Sequence, residues 1–209
     1  MTFIRNCKKL NNKFVVVLNL IGKHNILNAL AAIAVAIELE IDHKVIQSAL
    51  DNFSGVSRRL DYHHKISIKN FAIPLFDDYG HHPNEITAVL STLRNTFVTN
   101  RLVVIFQPHR YSRTKDLFNE FVSCLSRVDV LILLDIYPAN EAPIHQVTSA
   151  ALADSIRQRS SIDPIVLSSS QEIFDVLPNV VLAEDVLLTL GAGDIHKIPH
   201  ELIEHFGRQ

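Results

Sequence analysis

Two short stretches concentrate the side chains that could do chemistry. "DDYGHHP" (77–83) sets two carboxylates, a phenol and two imidazoles around one glycine. Asp77 and Asp78 could accept from ribose hydroxyls or hold Mg²⁺, while Tyr79, His81 and His82 could donate hydrogen bonds or relay a proton. "QPHRYSRT" (107–114) sets Arg110 and Arg113 beside a proline that stops a strand and a threonine, Thr114, placed to cap a helix. Arginines near a helix start suit a carboxylate or phosphate, which guanidinium binds in a bidentate fashion. Bland readings stand beside both: a capped strand-to-helix turn for the first, and arginines paired with surface acids for the second.

Weaker signals lie elsewhere. "GKHNILN" (22–28) puts Asn25 and Asn28 one turn apart, where their amides could read a base edge, or where Asn25 simply caps a helix. "GAGD" (191–194) reads as a tight turn into a last helix and has too few glycines for a dinucleotide fingerprint. The sequence holds no G-x-x-x-x-G-K-[ST] loop, no G-x-S-x-G elbow and no zinc-type cluster. Adjacent histidines rarely ligate one ion together, so no metal site is assigned.

These clusters need elements to position them. Apolar spacing predicts strands at 14–21, 64–69, 71–77, 102–106, 129–135, 164–167 and 185–190. Helices are predicted at 25–40 and 43–53, then at about 83–95, 114–126, 148–159, 171–177 and 195–206. In the first helix Ile26, Leu27, Leu30, Ile33, Ala34 and Ile37 recur at helical spacing among alanines, with Asn25 where an N-cap belongs. "SGVSRRLD" (54–61) breaks the rhythm and marks a domain boundary. Beyond it, strands without polar alternation, such as "LVVIF", imply a sheet covered on both faces, and strand–helix alternation implies an α/β fold. The expected architecture is Rossmann-like, with a mostly parallel, doubly wound sheet whose carboxyl edge collects the polar clusters.

Composition narrows the function classes. The 209 residues carry a net charge of −2, so no global basic field points to nucleic acid or an anionic membrane. Arg5, Lys8 and Lys9 precede "FVVVLNLIG" (14–22), but Lys23-His24-Asn25 follow it where a cleavage site would need small residues. That stretch reads as a strand, no apolar run reaches the roughly 18 residues of a membrane span, and a cytoplasmic location is expected. Cys7 and Cys124 match no metal or redox spacing and read as buried or idle thiols.

Taken in order, "GKHNILNALAAIAVA", "FSGVSRRLD", "DDYGHHPNEI", "FQPHRYSRT", "YPANEAPI" and "GAGDI" resemble the C-terminal half of the Mur ligases. The alanine-adding branch is the nearest, and a branch that recycles murein tripeptide ranks second. The resemblance implies the tail of a central ATP-binding domain over 1–54 and the family's Rossmann-like C-terminal domain over 55–209. It implies part of an ATP-dependent ligase of peptidoglycan biosynthesis, with ATP and Mg²⁺ as cofactors, joining L-alanine to UDP-N-acetylmuramate through an acyl phosphate. Asn25 and Asn28 would contact adenine, Arg59 an ATP phosphate, and Asp78 the ribose. Tyr79, His81, Arg110 and Arg113 would surround the alanyl end, the arginines on its carboxylate and His81 aiding amine deprotonation. The family's P-loop, metal-binding acids and UDP pocket have no counterpart here, so the chain is expected to be inactive alone and to act with a separately encoded N-terminal half. A stand-alone nucleotide- or anion-binding module, or a remnant without a ligand, are the other readings.

Overall fold

The computed structural model describes residues 2–6, 13–18, 20 and 22–208; Cys7 lies outside them. The chain divides into two compact units, 1–57 and 58–209, and the division falls inside "SGVSRRLD".

In the first unit β1 (Thr2–Asn6) pairs antiparallel with β2 (Lys13–Val17), followed by α1 (Lys23–Glu38) and α2 (His43–Asp51). Asp42 caps α2 by accepting from Lys44 N at 2.8 Å. Gln47 ties that helix to β2 through Val15 O at 2.6 Å. The core is small: Val16, Leu18, Ile33 and Ile46. Of the apolar positions named in α1 only Ile33 is buried, while Leu27 and Ala34 are exposed, because two strands and one further helix cannot cover an apolar helix on all sides. Asn25 does not cap α1. Gly22, at φ 103°, starts the helix earlier, and Asn25 N bonds back to Gly22 O at 3.1 Å.

The second unit is a six-stranded sheet. Its strands are β3 (Asp61–Ile68), β4 (Phe71–Asp78), β5 (Leu102–Phe106), β6 (Val130–Leu134), β7 (Ile165–Leu167) and β8 (Val186–Leu190). The spatial order is β3-β4-β8-β5-β6-β7, antiparallel between β3 and β4 and parallel elsewhere. Alternate residues of β5 feed two cores. Leu102, Val104 and Phe106 face α3 (Pro83–Thr96), α5 (Phe118–Leu125) and α6 (Ser149–Arg159). Val103 and Ile105 face α7 (Glu172–Val180) and α8 (Ile198–Phe206). That is the physical meaning of an uninterrupted apolar strand: both faces are dry, each fully buried Val or Ile contributing about 1.5–3 kcal/mol.

One helix differs from expectation. Between β5 and β6 the chain forms α4 (Tyr111–Asp116) and then α5, with the backbone broken at Leu117. Thr114 is therefore not a cap but a buried residue inside α4, its hydroxyl donating to Arg110 O at 2.9 Å. Arg110, at φ 75°, takes the N-cap position and starts the helix three residues sooner.

The registers align the strand ends. Asp78 pairs with Leu190, Leu190 with Phe106, and Phe106 with Leu133. "DDYGHHP", "QPHRYSRT", "DIYPANEAP" and "GAGD" thus emerge at one carboxyl edge. The chain leaves β5 toward β6 and returns at β8 on its other side, so this edge is the switch point of the sheet, where open α/β sheets bind ligands.

Candidate functional site

The turn after β4 is built by its own side chains. His82 accepts from Asn84 N at 3.3 Å, and Glu85 accepts from the amides of His81 and His82 at 3.1 and 3.2 Å, closing a capping box with Pro83 in the first turn. Burial pushes the Glu85 carboxyl up, but those two amides, His81 and Arg59 outweigh it and hold it below its ordinary value. His82 is thereby committed to the fold. His81 is turned the other way, its Nδ1 3.1 Å from Tyr79 O and its ring edge-on to Tyr79, with centroids 5.2 Å apart.

The two aspartates are inward-facing. Asp77 accepts from Arg58 Nε at 2.9 Å and Thr189 Oγ1 at 2.8 Å. Asp78 is 2% exposed, with Leu60 N donating to one oxygen at 2.7 Å and Gly80 N to the other at 2.6 Å. Burial pushes its carboxyl up to about 6, against the pull of those amides and of Arg59. Arg58 reaches past Asp77 to Gly191 O at 2.5 Å. Arg59 is exposed and makes no hydrogen bond to another described residue. Its guanidinium lies 5.8 Å from the Tyr79 ring centroid, Arg58 on the same ring at 5.1 Å, both within cation–π range.

From His81 a line of rings crosses the edge: His81 to His109 at 6.1 Å, then His109 stacked on Tyr137 at 5.3 Å and 17°. The loops after β5 and β6 run side by side, Arg110 N donating to Tyr137 O and Tyr137 N to Pro108 O, both at 2.8 Å. Arg113 Nη1 donates to His109 O at 3.3 Å and lies 3.4 Å from His109 Nδ1. Burial, then Arg113, His81 and Arg110, hold the His109 imidazole below its usual pKa. Arg110 Nε donates to Glu141 Oε1 at 2.8 Å.

The "GAGD" turn closes the other side. Gly191 sits at φ 147° with Gln107 O only 2.7 Å from where a Cβ would be. A Cβ on Gly193 would meet Gln107 Oε1 at 2.5 Å and Tyr137 Cγ at 2.7 Å. No side chain fits at either position. Gln107 holds the turn, donating to Asp194 Oδ1 at 2.6 Å and accepting from Ile195 N at 3.1 Å. A cavity of about 300 Å³ opens beside Tyr137, lined by Gln107, Asp135, Ser169 and Asp194 among others, with no basic side chain.

Of the residues predicted from sequence, Arg59, Asp78, Tyr79, His81, Arg110 and Arg113 share this edge of the second unit, while Asn25 and Asn28 lie on α1 in the first. Tyr79 is 37% exposed and open to a ligand. Arg58, Gln107, His109, Tyr137 and Glu141 were not singled out by sequence, although each falls within a quoted motif. Among the described residues no group of three or more His, Cys, Asp or Glu is placed to hold a metal, and no helix is long and apolar enough to cross a membrane.

A family model described as the Mur ligase glutamate ligase domain matches residues 58–193. A UDP-N-acetylmuramate–L-alanine ligase of Vesicomyosocius okutanii is 60% identical over 93% of this chain, and one of Methylococcus capsulatus is 50% identical over 93%. The chain spans 41% of the length of each. The crystal structure of a UDP-N-acetylmuramate–alanine ligase from Thermotoga maritima matches with a TM-score of 0.73 at 29% identity, covering 94% of this chain and 41% of that one. A murein peptide ligase from Psychrobacter arcticus shares the fold, with a TM-score of 0.62 at 23% identity over 94% of this chain and 40% of its own. The motifs, the sheet they border and these matches agree: the chain belongs to the Mur ligase family and carries its C-terminal domain.

Proposed function

We propose that this chain supplies the amino-acid side and part of the nucleotide side of an ATP-dependent ligase joining L-alanine to UDP-N-acetylmuramate in peptidoglycan biosynthesis. The observation that carries the reading is the gathering of Arg59, Tyr79, His81, Arg110 and Arg113 on one sheet edge, in a chain 50–60% identical to alanine ligases over nine-tenths of its length. Arg110 and Arg113 bind the alanine carboxylate, and Tyr79 and His81 flank the amine. With its ring held by Tyr79 O and Glu85, His81 takes a proton as the amine attacks the acyl phosphate of the muramate. Arg59, exposed and without a hydrogen bond to another described residue, meets phosphate; Asn25 and Asn28 read adenine. Asp78, inward-facing and with both oxygens bonded to the Leu60 and Gly80 amides, is given the ribose by the family resemblance alone.

Metal chemistry is not supported by this chain's own residues. Asp77 is taken by Arg58 and Thr189, Asp78 by two amides, and no metal cluster exists among the described residues. Mg²⁺ and the triphosphate cradle therefore belong to the rest of the relatives' length, supplied by a separately encoded part or by a longer form of this chain. Positioning and charge stabilisation are what this half contributes.

The test is titration of the purified chain with Mg-ATP and then L-alanine, with Arg110→Ala and Arg113→Ala alongside. Alanine binding lost in both variants supports the assignment, and binding indifferent to them sinks the arginine roles. Alanine-dependent ATP hydrolysis by the chain alone would overturn the claim that it needs a partner.

A further inference from the structure

Arg110 is exposed, yet its guanidinium is not free to wander. Its Nε is bonded to Glu141 Oε1, and the same carboxylate accepts from Ser112 Oγ at 2.6 Å and Ser112 N at 2.9 Å. The contact occupies only the Nε edge, and neither Nη group bonds another described residue. The backbone around it is unusual. Arg110 is at φ 75°, and Ala139 and Asn140, just before Glu141, are at 48° and 68°. Three non-glycine residues in the left-handed region persist only where the surrounding structure holds them. Here the holding is visible: the paired loops through Tyr137, the Glu141 N to Pro138 O bond at 3.0 Å, and the carboxylate bridging both loops.

An ordinary surface ion pair would explain the Arg110 contact alone and would contribute little. It would not explain why the same carboxylate also takes the amide and hydroxyl of Ser112, two residues further on.

We propose that Glu141 is a positioning residue: it grips Arg110 by the Nε edge so that the two Nη groups face outward as a fork for a carboxylate or phosphate. This rests on the reading of Arg110 as an anion-binding residue. The Ser112 hydroxyl and amide, together with Arg110, hold the Glu141 carboxyl down at about 2, so the grip stays charged at every working pH.

The test uses the full chain with L-alanine and inorganic phosphate as probes, in the wild type, Glu141→Ala, Glu141→Gln, Arg110→Ala and the double variant. Two quantities are read: affinity, and the exchange rate of the Arg110 Nε proton by NMR. The expected result is that Glu141→Ala binds about tenfold more weakly and releases the Nε proton to fast exchange. Glu141→Gln should fall between, since its oxygen keeps the Arg110 bond while its NH₂ opposes Ser112 N–H. In the Arg110→Ala background the Glu141 change should have no further effect. Unchanged or tighter binding in Glu141→Ala would make Glu141 a competitor that masks Arg110, and would overturn the proposal. Binding with no Nε protection overturns the grip. Nε protection lost in Glu141→Ala, with no binding even by the wild type, overturns the anion reading and leaves the grip as structure only.

Discussion

Raising the pH through about 6 charges a carboxylate that has almost no contact with water. Asp78 is 2% exposed, and its folded value of about 6 stands against 3.8 for the free side chain. The folded state therefore binds this proton more tightly than the unfolded chain does. Stability falls as pH rises from 3.8 to about 6, and the penalty is complete above that window. At about 1.4 kcal/mol per unit, the full loss is on the order of 3 kcal/mol. Asp78→Asn removes the titration at its own cost. Two backbone N–H groups converge on the side chain, and asparagine offers one acceptor and one NH₂, so one amide is left facing a donor, worth about 1–3 kcal/mol. At low pH the variant should be the less stable, and the two curves should converge as the wild type ionises. Urea unfolding of both proteins across this range gives the difference, in which other carboxylates such as Glu85 and Glu141 cancel. Carbon-13 NMR of the Asp78 carboxyl gives the midpoint directly. Parallel curves, or a carboxyl titrating near 3.8, would refute the burial argument. The result also bears on function, because only the ionised form is a pure acceptor for ribose hydroxyls at neutral pH.

Gly193→Ala must displace both Gln107 and the Tyr137 ring, costing about 1–3 kcal/mol and unstacking His109; thermal melting and near-ultraviolet circular dichroism read both effects, and an unchanged Tm would contradict the packing. Asp185→Ala strips the two-pronged partner from Arg101, whose Nε and Nη2 reach its oxygens at 3.0 and 2.8 Å, and orphans the Leu182 amide. Arg101 is 37% exposed and regains water, so the loss comes mainly from the orphaned amide, about 1–2 kcal/mol in urea, and a loss under about 0.5 kcal/mol would place it among ordinary surface changes.

The parallel sheet was legible because its signal is local. "LVVIF" reads as a two-sided strand from its own five residues, and the structure gives Leu102–Phe106 with both faces buried. The start of α4 was not legible. It depends on Arg110 adopting a positive φ, which is held by Tyr137 and Glu141 from a neighbouring loop about thirty residues away in sequence. The same holds for the stack of His109 on Tyr137 and for the need for glycine at 193. Each is a contact between loops that only the strand order brings together. Helical spacing made α1 legible as a helix but says nothing of its cover, and only Ile33 of its named apolar positions is buried.

The doublets show how far a sequence can go in dividing roles. "RR" at 58–59 and "HH" at 81–82 each offer two identical side chains, but the local backbone separates them: Arg58 sits in a turn at φ 60°, and His82 is extended as the N-cap of α3. One member of each pair is committed to the fold: Arg58 to Asp77 and Gly191 O, His82 to the cap of α3. The other makes no such commitment: Arg59 is exposed with no hydrogen bond to another described residue, and His81 lies between Tyr79 and His109. This division predicts unlike outcomes for like substitutions. Arg58→Ala leaves Asp77 buried with Thr189 as its remaining side-chain partner and frees Gly191 O. A fully buried pair would lose about 3–5 kcal/mol, and because the Arg58 side chain is 20% exposed the expected loss is nearer about 2–3 kcal/mol. Arg59→Ala should stay within about 0.5 kcal/mol of wild type in urea while weakening any phosphate or nucleotide that the edge binds. Equal destabilisation by the two, or nucleotide binding that depends on Arg58 and not on Arg59, would show that the backbone does not sort the doublet in this way.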